Sequence, residues 1–193
     1  MSRVQVKVAL IGDSQIGKTS LMVKYVNNSF DEDYKKTLGV NFMEKSIELG
    51  TTDIKFSVYD LGGAQEFVNM LPLTTDGAVA VVFLFDLTKL QTLSSIKEWF
   101  KLVRAQNKTA IPMLVGTKYD LFLEMPKSYQ EEVTSQSLKY AKAMKSSLIF
   151  TSSSNSINVQ KVFKILTCSA FDLQISIPEI SNVGEPILLY KDL

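Results

Sequence analysis

The sequence predicts an α/β protein built on one mostly parallel, six-stranded sheet with helices on both faces. Apolar segments of strand length alternate along the chain with segments of helical period. The longest apolar run, residues 78–85, is continuous, as in strands that are covered on both faces. The first strand leads directly into a loop with two glycines and then into a helix, an arrangement typical of doubly wound sheets.

The predicted elements follow one another in a regular order. Strands are expected at residues 4–11, 40–49, 53–60, 79–85, 111–116 and 148–151, with a hairpin turn at residues 50–52. Helices are expected at residues 19–26, around 93–103, at 130–145 and at 158–171. After residue 172 the periodicity fades, and Pro178, Gly184 and Pro186 favour extended chain. We therefore predict one domain over residues 1–173 and an extended tail over residues 174–193.

The composition restricts the possible chemistry. The 193 residues include no histidine, which excludes Ser-His-Asp triads, Cys-His pairs and histidine-ligated zinc or haem. Any reaction must therefore use carboxylates, hydroxyls, lysine, backbone amides or a bound metal.

Charge and cysteine usage narrow the class of protein further. The formal net charge is +1 and there is no basic cluster, so nucleic acid is not an expected partner. Cys168 is the single cysteine, which excludes an internal disulfide and favours a reducing, cytoplasmic location. The longest apolar run is far shorter than the about 20 residues that a membrane-spanning helix needs.

Residues 12–19, GDSQIGKT, match the phosphate-loop pattern GxxxxGK[ST] between a strand and a helix. Gly12 and Gly17 would let successive N–H groups point at an anion, and the helix N-terminus adds partial positive charge. Lys18 is expected to reach the terminal phosphates and the Thr19 hydroxyl to bind Mg²⁺. The pattern predicts binding of a nucleoside triphosphate; a glycine-rich turn without a ligand is the alternative. The expected contacts are Gly12, Asp13, Ser14, Gln15, Ile16, Gly17, Lys18, Thr19 and Ser20.

Two further segments point to the same ligand. The third strand ends at Asp60, whose carboxylate could hold Mg²⁺ through a water, while the amide of the nearby Gly63 could meet the γ-phosphate. Thr37 lies in the polar loop before the second strand. If Thr37 binds Mg²⁺ and its amide contacts the γ-phosphate, this loop orders with triphosphate and loosens after hydrolysis. An ordinary turn and a solvated acidic loop are the alternatives. The predicted metal ligands are thus Thr19, Thr37 and Asp60.

A base-binding segment follows the strand at residues 111–116, where the chain reads Thr117-Lys118-Tyr119-Asp120. The Asp120 carboxylate could accept hydrogen bonds from N1–H and the 2-amino group of guanine, a donor pair that adenine lacks. We expect the stem of Lys118 to cover the base plane and Phe30 to meet the base from the side. Backbone amides for the guanine carbonyl are expected from Ser152, Ser153 and Ser154, which follow another strand.

In this order, the segments resemble those of Ras-superfamily small GTPases over nearly the whole chain. Residues 12–25, 37–42, 66–72 and 116–120, together with 177–180 and 183–188 in the tail, are similar to the septum-promoting, mitotic-exit GTPases of fungi. The resemblance implies a single P-loop NTPase (Ras-like G) domain that binds GTP and GDP with Mg²⁺ and hydrolyses GTP. It also implies that Tyr34 contacts the nucleotide and that Lys18, Thr37 and Gly63 serve catalysis.

The resemblance also implies a place in cell division. A GTP-loaded switch at the spindle pole body or centrosome would recruit an effector protein kinase and trigger septation and mitotic exit. A two-part GTPase-activating complex with a TBC-type subunit, and an exchange factor, would control it. We expect a monomer. We also expect protein partners to localise it, because the sequence ends at Leu193 without the terminal cysteine needed for a lipid anchor.

Two positions depart from the superfamily pattern. Thr117 stands where the base motif usually has Asn, which predicts weaker nucleotide affinity and faster exchange. Ala64 stands where Ras-like proteins place the glutamine that orients the attacking water, and we expect the side chain of the adjacent Gln65 to diverge from that position. Arg3 precedes the first strand and Arg104 belongs to a mid-chain helix, so no arginine finger is expected in cis. Intrinsic hydrolysis should be very slow, with the missing arginine and glutamine supplied by a TBC-type activator.

Two other functions remain open at the level of sequence. One is a small-molecule P-loop kinase, although such enzymes clamp phosphoryl groups with several arginines and this chain has two. The other is a GTP-holding scaffold without meaningful hydrolysis, which the alanine at position 64 would allow.

Overall fold

The computed structural model, which describes residues 2–33 and 35–191, confirms the α/β prediction. A mixed sheet of seven strands runs in the order β2-β3-β1-β4-β5-β6-β7. Pairing is parallel from β3 through β1, β4 and β5 to β6, whereas β2 and β7 are antiparallel to their neighbours. The strands are β1 (Ser2–Ile11), β2 (Val40–Leu49), β3 (Thr52–Leu61), β4 (Ala80–Asp86), β5 (Ile111–Thr117), β6 (Ser147–Phe150) and β7 (Leu188–Leu189).

The helices differ from the sequence prediction mainly in the short turns. The helix expected around residues 93–103 is divided at Ser95 into two, and the short turns at residues 65–75 and 119–122 were not predicted. Within the described residues, no helix combines the length and apolar character needed to cross a membrane. The helices are α1 (Lys18–Asn27), a 3-10 helix (Gln65–Met70), α2 (Leu71–Thr75), α3 (Leu90–Ser94), α4 (Ile96–Gln106), α5 (Tyr119–Phe122), α6 (Lys127–Met144) and α7 (Val159–Ala170).

The sheet gains a seventh strand, where the sequence predicts six. Strand β7 lies inside the segment predicted as an extended tail and pairs with β6, with Leu189 opposite Leu148 and Leu188 opposite Ile149. Two residues carry too little periodicity to be recognised as a strand.

The core has one layer on each face of the sheet. Every residue of β4 is buried, as its continuous apolar sequence predicts. Helices α1 and α7 cover one face, where the Tyr25 and Phe163 rings stack at 3.6 Å between centroids. Helices α4 and α6 cover the other face, where Trp99 and Val133 are buried.

The topology determines where a site can form. Because β1, β3, β4, β5 and β6 are mutually parallel, their carboxyl ends lie at the same edge of the sheet. The segments after these ends are residues 12–17, 62–64, 87–89, 118 and 151–158. Ligands of open α/β sheets bind at this edge.

Phe163 provides a test of the core layer formed by α1 and α7. Its ring is 1% exposed and packs against Tyr25 and Phe56. We expect Phe163→Ala to lower the free energy of unfolding by about 3–5 kcal/mol through lost burial and a residual cavity, measured by urea denaturation. Phe163→Leu keeps most of the side-chain volume, so its free energy of unfolding should fall distinctly less. Equal losses for the two variants would contradict this packing.

Candidate functional site

The loops at the carboxyl edge of the sheet surround a cavity of about 560 Å³, a volume typical of small-molecule sites. Most of the residues predicted as site residues line it. They are Ser14, Gln15, Ile16, Gly17, Lys18, Thr19, Ser20, Phe30, Thr37, Gly63, Ala64, Thr117, Lys118, Asp120, Ser153 and Ser154.

The remaining predicted residues are not found among those that line the cavity. Gly12, Asp13, Asp60 and Ser152 are not among the lining residues, and Asp60 and Ser152 are fully buried. Tyr34 lies outside the described residues.

The loop at residues 12–17 has the conformation that its glycines permit. Gly17 immediately precedes α1 with φ 95°, in the left-handed region that favours glycine. Lys18 is 5% exposed, and its Nζ donates a hydrogen bond to the Asp13 carbonyl at 2.5 Å. Burial lowers the pKa of Lys18 to about 8, against the opposing effects of the Asp60 and Asp13 carboxylates. An anion in the cavity would favour the charged amine and so offset its burial.

Two glycines bring the loop after β3 into contact with both of its neighbours. A Cβ on Gly63 would lie 2.2 Å from the Asp13 carbonyl carbon and 2.3 Å from the Ser14 nitrogen. A Cβ on Gly62 would lie 2.6 Å from the Thr37 carbonyl oxygen. The Gly62 N–H also donates to the Gly39 carbonyl at 2.8 Å. The loop at residues 62–64 therefore connects the phosphate loop to residues 35–39, which we call the Thr37 segment.

Oxygen atoms of the three predicted metal ligands converge at one point. The Thr19 and Thr37 hydroxyl oxygens lie 2.7 Å apart, and both hydroxyls donate to Asp60 Oδ2, Thr37 at 3.3 Å. Asp60 Oδ1 is buried without a hydrogen-bond partner among the described residues. Burial raises the pKa of Asp60, opposed by these hydroxyls and by Lys18.

This donor set fits Mg²⁺, which prefers oxygen ligands and takes few of them from the protein. In the described parts of the chain, no group of three or more Asp, Glu or Cys side chains is placed to hold a metal. A cation here would thus depend on two hydroxyls and one carboxylate, and the rest of its coordination would come from water or from an anionic ligand.

At the other end of the cavity, Asp120 is held by a buried serine. The Ser152 hydroxyl donates to Asp120 Oδ1 at 2.7 Å and accepts the Asn155 N–H at 3.1 Å. The sequence predicted a backbone amide contact from Ser152. In the structure the Ser152 side chain orients the Asp120 carboxylate, Ser153 and Ser154 line the cavity, and the amide contact stays a prediction.

Lys118 connects the base segment to the phosphate loop. Its backbone has φ 61°, and its Nζ donates to the Gln15 carbonyl at 2.9 Å and pairs with Asp86 Oδ2 at 2.8 Å. The other Asp86 oxygen accepts the Thr88 N–H and hydroxyl. The buried charge of Asp86 is therefore paired and hydrogen-bonded.

Thr117 makes a second connection between these two segments. Its hydroxyl lies within hydrogen-bond distance of the Ile16 carbonyl and of the Phe85 carbonyl, the latter at 3.1 Å. A hydroxyl has one hydrogen, whereas the amide of an asparagine has two. Thr117 can thus donate to one of these carbonyls at a time, which gives a physical reason for the weaker affinity predicted from the sequence.

Next to Gly63, the cavity wall carries the short side chain of Ala64. Ala64 lines the cavity in extended conformation, with φ −81° and ψ 147°, and Gln65 is exposed at the start of the 3-10 helix. The arginines are engaged elsewhere. Arg3 pairs with Asp53, and Arg104 donates to the Ala110 carbonyl at 2.8 Å.

Two supporting residues were missed by the sequence analysis. Asp86 directly follows the longest apolar run and is buried. A carboxylate at the end of a buried strand is the sequence signal that could have identified it. Trp99 donates its indole N–H to Asp13 Oδ1 at 2.8 Å from helix α4. Nothing in the local sequence pairs these two residues, which are 86 positions apart.

Comparison with known proteins is consistent with this site. The family model described as "Ras family" matches residues 7–171. The chain is 60% identical over 191 residues to the Septum-promoting GTP-binding protein 1 of Schizosaccharomyces pombe, covering 99% of this chain and 96% of that protein. It is 34% identical over 168 residues to bovine Ras-related protein Rab-25 (86% and 76%) and 30% identical over 164 residues to human Ras-related protein Rab-22A (84% and 82%). The chain belongs to the Ras family.

Proposed function

We propose that this chain is a GTP-binding switch protein that controls septation. The observation that carries the proposal is a cavity with a phosphate loop at one end and the serine-held carboxylate of Asp120 at the other. Its similarity to a protein named for septum promotion and GTP binding supports the biological role.

The two ends of the cavity would recognise different parts of the nucleotide. Asp120 accepts from the N1–H and 2-amino group of guanine, and adenine would leave this carboxylate unpaired. Lys18 and the N-terminus of α1 hold the phosphates. Thr19, Thr37 and Asp60 would hold Mg²⁺, which neutralises charge on the β- and γ-phosphates when it is bound.

Switching would depend on the Thr37 segment. Its hydroxyl lies against Thr19 and Asp60, and its carbonyl lies against Gly62. A γ-phosphate bound by the Thr37 and Gly63 amides would order both loops, and its loss would release them.

Hydrolysis by the chain alone should be slow. Position 64 has no group that can orient water, and both arginines have partners away from the cavity. We therefore infer that a GTPase-activating partner supplies these groups, in the form of a two-part complex with a TBC-type subunit. The GTP-bound form recruits an effector protein kinase at the spindle pole body. An exchange factor then replaces GDP on this chain with GTP. The chain acts as a monomer.

Ala64 also favours one second candidate, a GTP-holding scaffold that never hydrolyses its ligand. Turnover in the presence of the activating partner separates this scaffold from a slow switch. The same placement of the two arginines disfavours a small-molecule kinase, which would need them at the phosphates.

Base specificity tests the proposal directly. We expect wild-type protein to bind GDP and GTP but not ATP in fluorescent-nucleotide competition. Asp120→Asn should lose about 100-fold or more in affinity for GDP, because an amide repels the guanine donors, and should gain affinity for xanthosine diphosphate. Glu124→Gln, the same chemical change on an exposed residue nearby, is the matched control. Equal binding of ATP and GTP by wild-type protein would refute the proposal.

Single-turnover hydrolysis tests the role assigned to position 64. Ala64→Gln should raise the intrinsic GTP hydrolysis rate about tenfold or more, since positioned groups contribute about 10²–10⁴. Gln65→Ala should leave the rate within about twofold of wild type, because its side chain is exposed at the start of a helix. An unchanged rate in Ala64→Gln would contradict the interpretation of this position.

A further inference from the structure

Residues 177–191 fold back onto the domain, and we call them the strap. Ile187 and Leu188 are buried and belong to the core layers on opposite faces of the sheet. Ile177 is also buried, and the Tyr190 hydroxyl donates to its carbonyl. Ile180 and Leu188 exchange two backbone hydrogen bonds of 2.9 Å, so the strap is closed on itself as well as docked on β6.

The strap contacts the segments that carry the base site. The Phe150 N–H, two residues before Ser152, donates to the Ile187 carbonyl at 2.8 Å. The Asn158 side-chain amide donates to the carbonyls of Phe150, at 2.9 Å, and Pro186, at 3.2 Å. The strap thereby holds the end of β6, after which the chain continues into residues 152–154, which we call the serine loop.

Tyr119 links the strap to the base segment itself. It lies between Lys118 and Asp120, is 4% exposed, and donates its hydroxyl to the Gly184 carbonyl at 2.7 Å. Its own N–H donates to the Thr151 carbonyl at 3.0 Å. Burial, with a smaller effect of Glu185, raises the pKa of Tyr119, so the phenol stays a hydrogen-bond donor at neutral pH. One residue thus connects the strap, the base segment and the serine loop.

We propose that the strap is a positioning element of the guanine site, which holds Asp120 and Ser152 in register through Tyr119 and Asn158. The inference rests on the proposed GTP-binding function and adds a part of the chain outside the Ras family match at residues 7–171. The similarity to the S. pombe protein extends over 191 residues, beyond the 164 and 168 residues aligned with Rab-22A and Rab-25. By holding Asp120 and Ser152, the strap slows nucleotide release and sharpens selection for the guanine 2-amino group.

The test measures dissociation of a fluorescent GDP and the ratio of affinities for GDP and inosine diphosphate, which lacks the 2-amino group. Tyr119→Phe removes the hydroxyl that holds Gly184 and should speed GDP release about threefold or more, the effect of losing one hydrogen bond. The GDP to inosine diphosphate ratio should fall, because Asp120 is no longer held in register. Asn158→Gly should act in the same direction, and glycine tolerates the φ of 59° at this position.

Thr167→Val is the matched control. Its hydroxyl also donates to a backbone carbonyl at 2.7 Å, from Thr167 to Phe163, but within helix α7. The control should leave release and the affinity ratio within about twofold of wild type while losing a comparable hydrogen bond.

Three outcomes would overturn the inference. One is wild-type GDP release in both Tyr119→Phe and Asn158→Gly. Another is that the two variants release GDP and inosine diphosphate faster but keep the wild-type ratio of affinities for them. The strap would then have a purely structural role. Wild-type protein without any preference for guanine nucleotides would instead overturn the proposed function, and the inference with it, before any variant is compared.

Discussion

The attachment of the phosphate loop to the end of β5 is the interaction on which the rest of the site depends. Thr117 and Lys118 donate to the carbonyls of Ile16 and Gln15, and Lys118 in turn is held by the buried carboxylate of Asp86. These contacts therefore fix the distance between the two ends of the cavity. A ligand that spans the cavity meets both ends already in place. Preorganisation of this kind reduces the ordering cost of binding.

Much of the fold and the site could be predicted because both use local patterns. The phosphate loop combines required glycines with a strand and a helix on either side, and parallel strands bring distant loops to one edge. The contacts that were missed are non-local. Trp99 reaches Asp13 across 86 positions, and Tyr119 reaches Gly184 across 65. Strand β7 has two residues and exists because β6 offers an edge for it.

The absence of histidine and the scarcity of arginine acquire a physical meaning in this site. Phosphoryl transfer depends on positioning and on charge stabilisation more than on proton transfer by imidazole. The chain provides Lys18, backbone amides and an oxygen donor set, but Ala64 is short and Arg3 and Arg104 are engaged elsewhere. In the proposed function, such a site hydrolyses GTP slowly, and an activating partner sets the lifetime of the GTP-bound state.

The proposed switch requires the Thr37 segment to respond to the γ-phosphate. Amide hydrogen exchange of residues 30–39 tests it most directly, in protein loaded with Mg²⁺ and either GDP or a non-hydrolysable GTP analogue. We expect exchange to be at least about tenfold slower with the analogue, because local opening then requires breaking contacts to the γ-phosphate. Helix α4 should exchange equally in both states. Identical exchange of residues 30–39 in the two states would show that the Thr37 segment does not respond to the γ-phosphate.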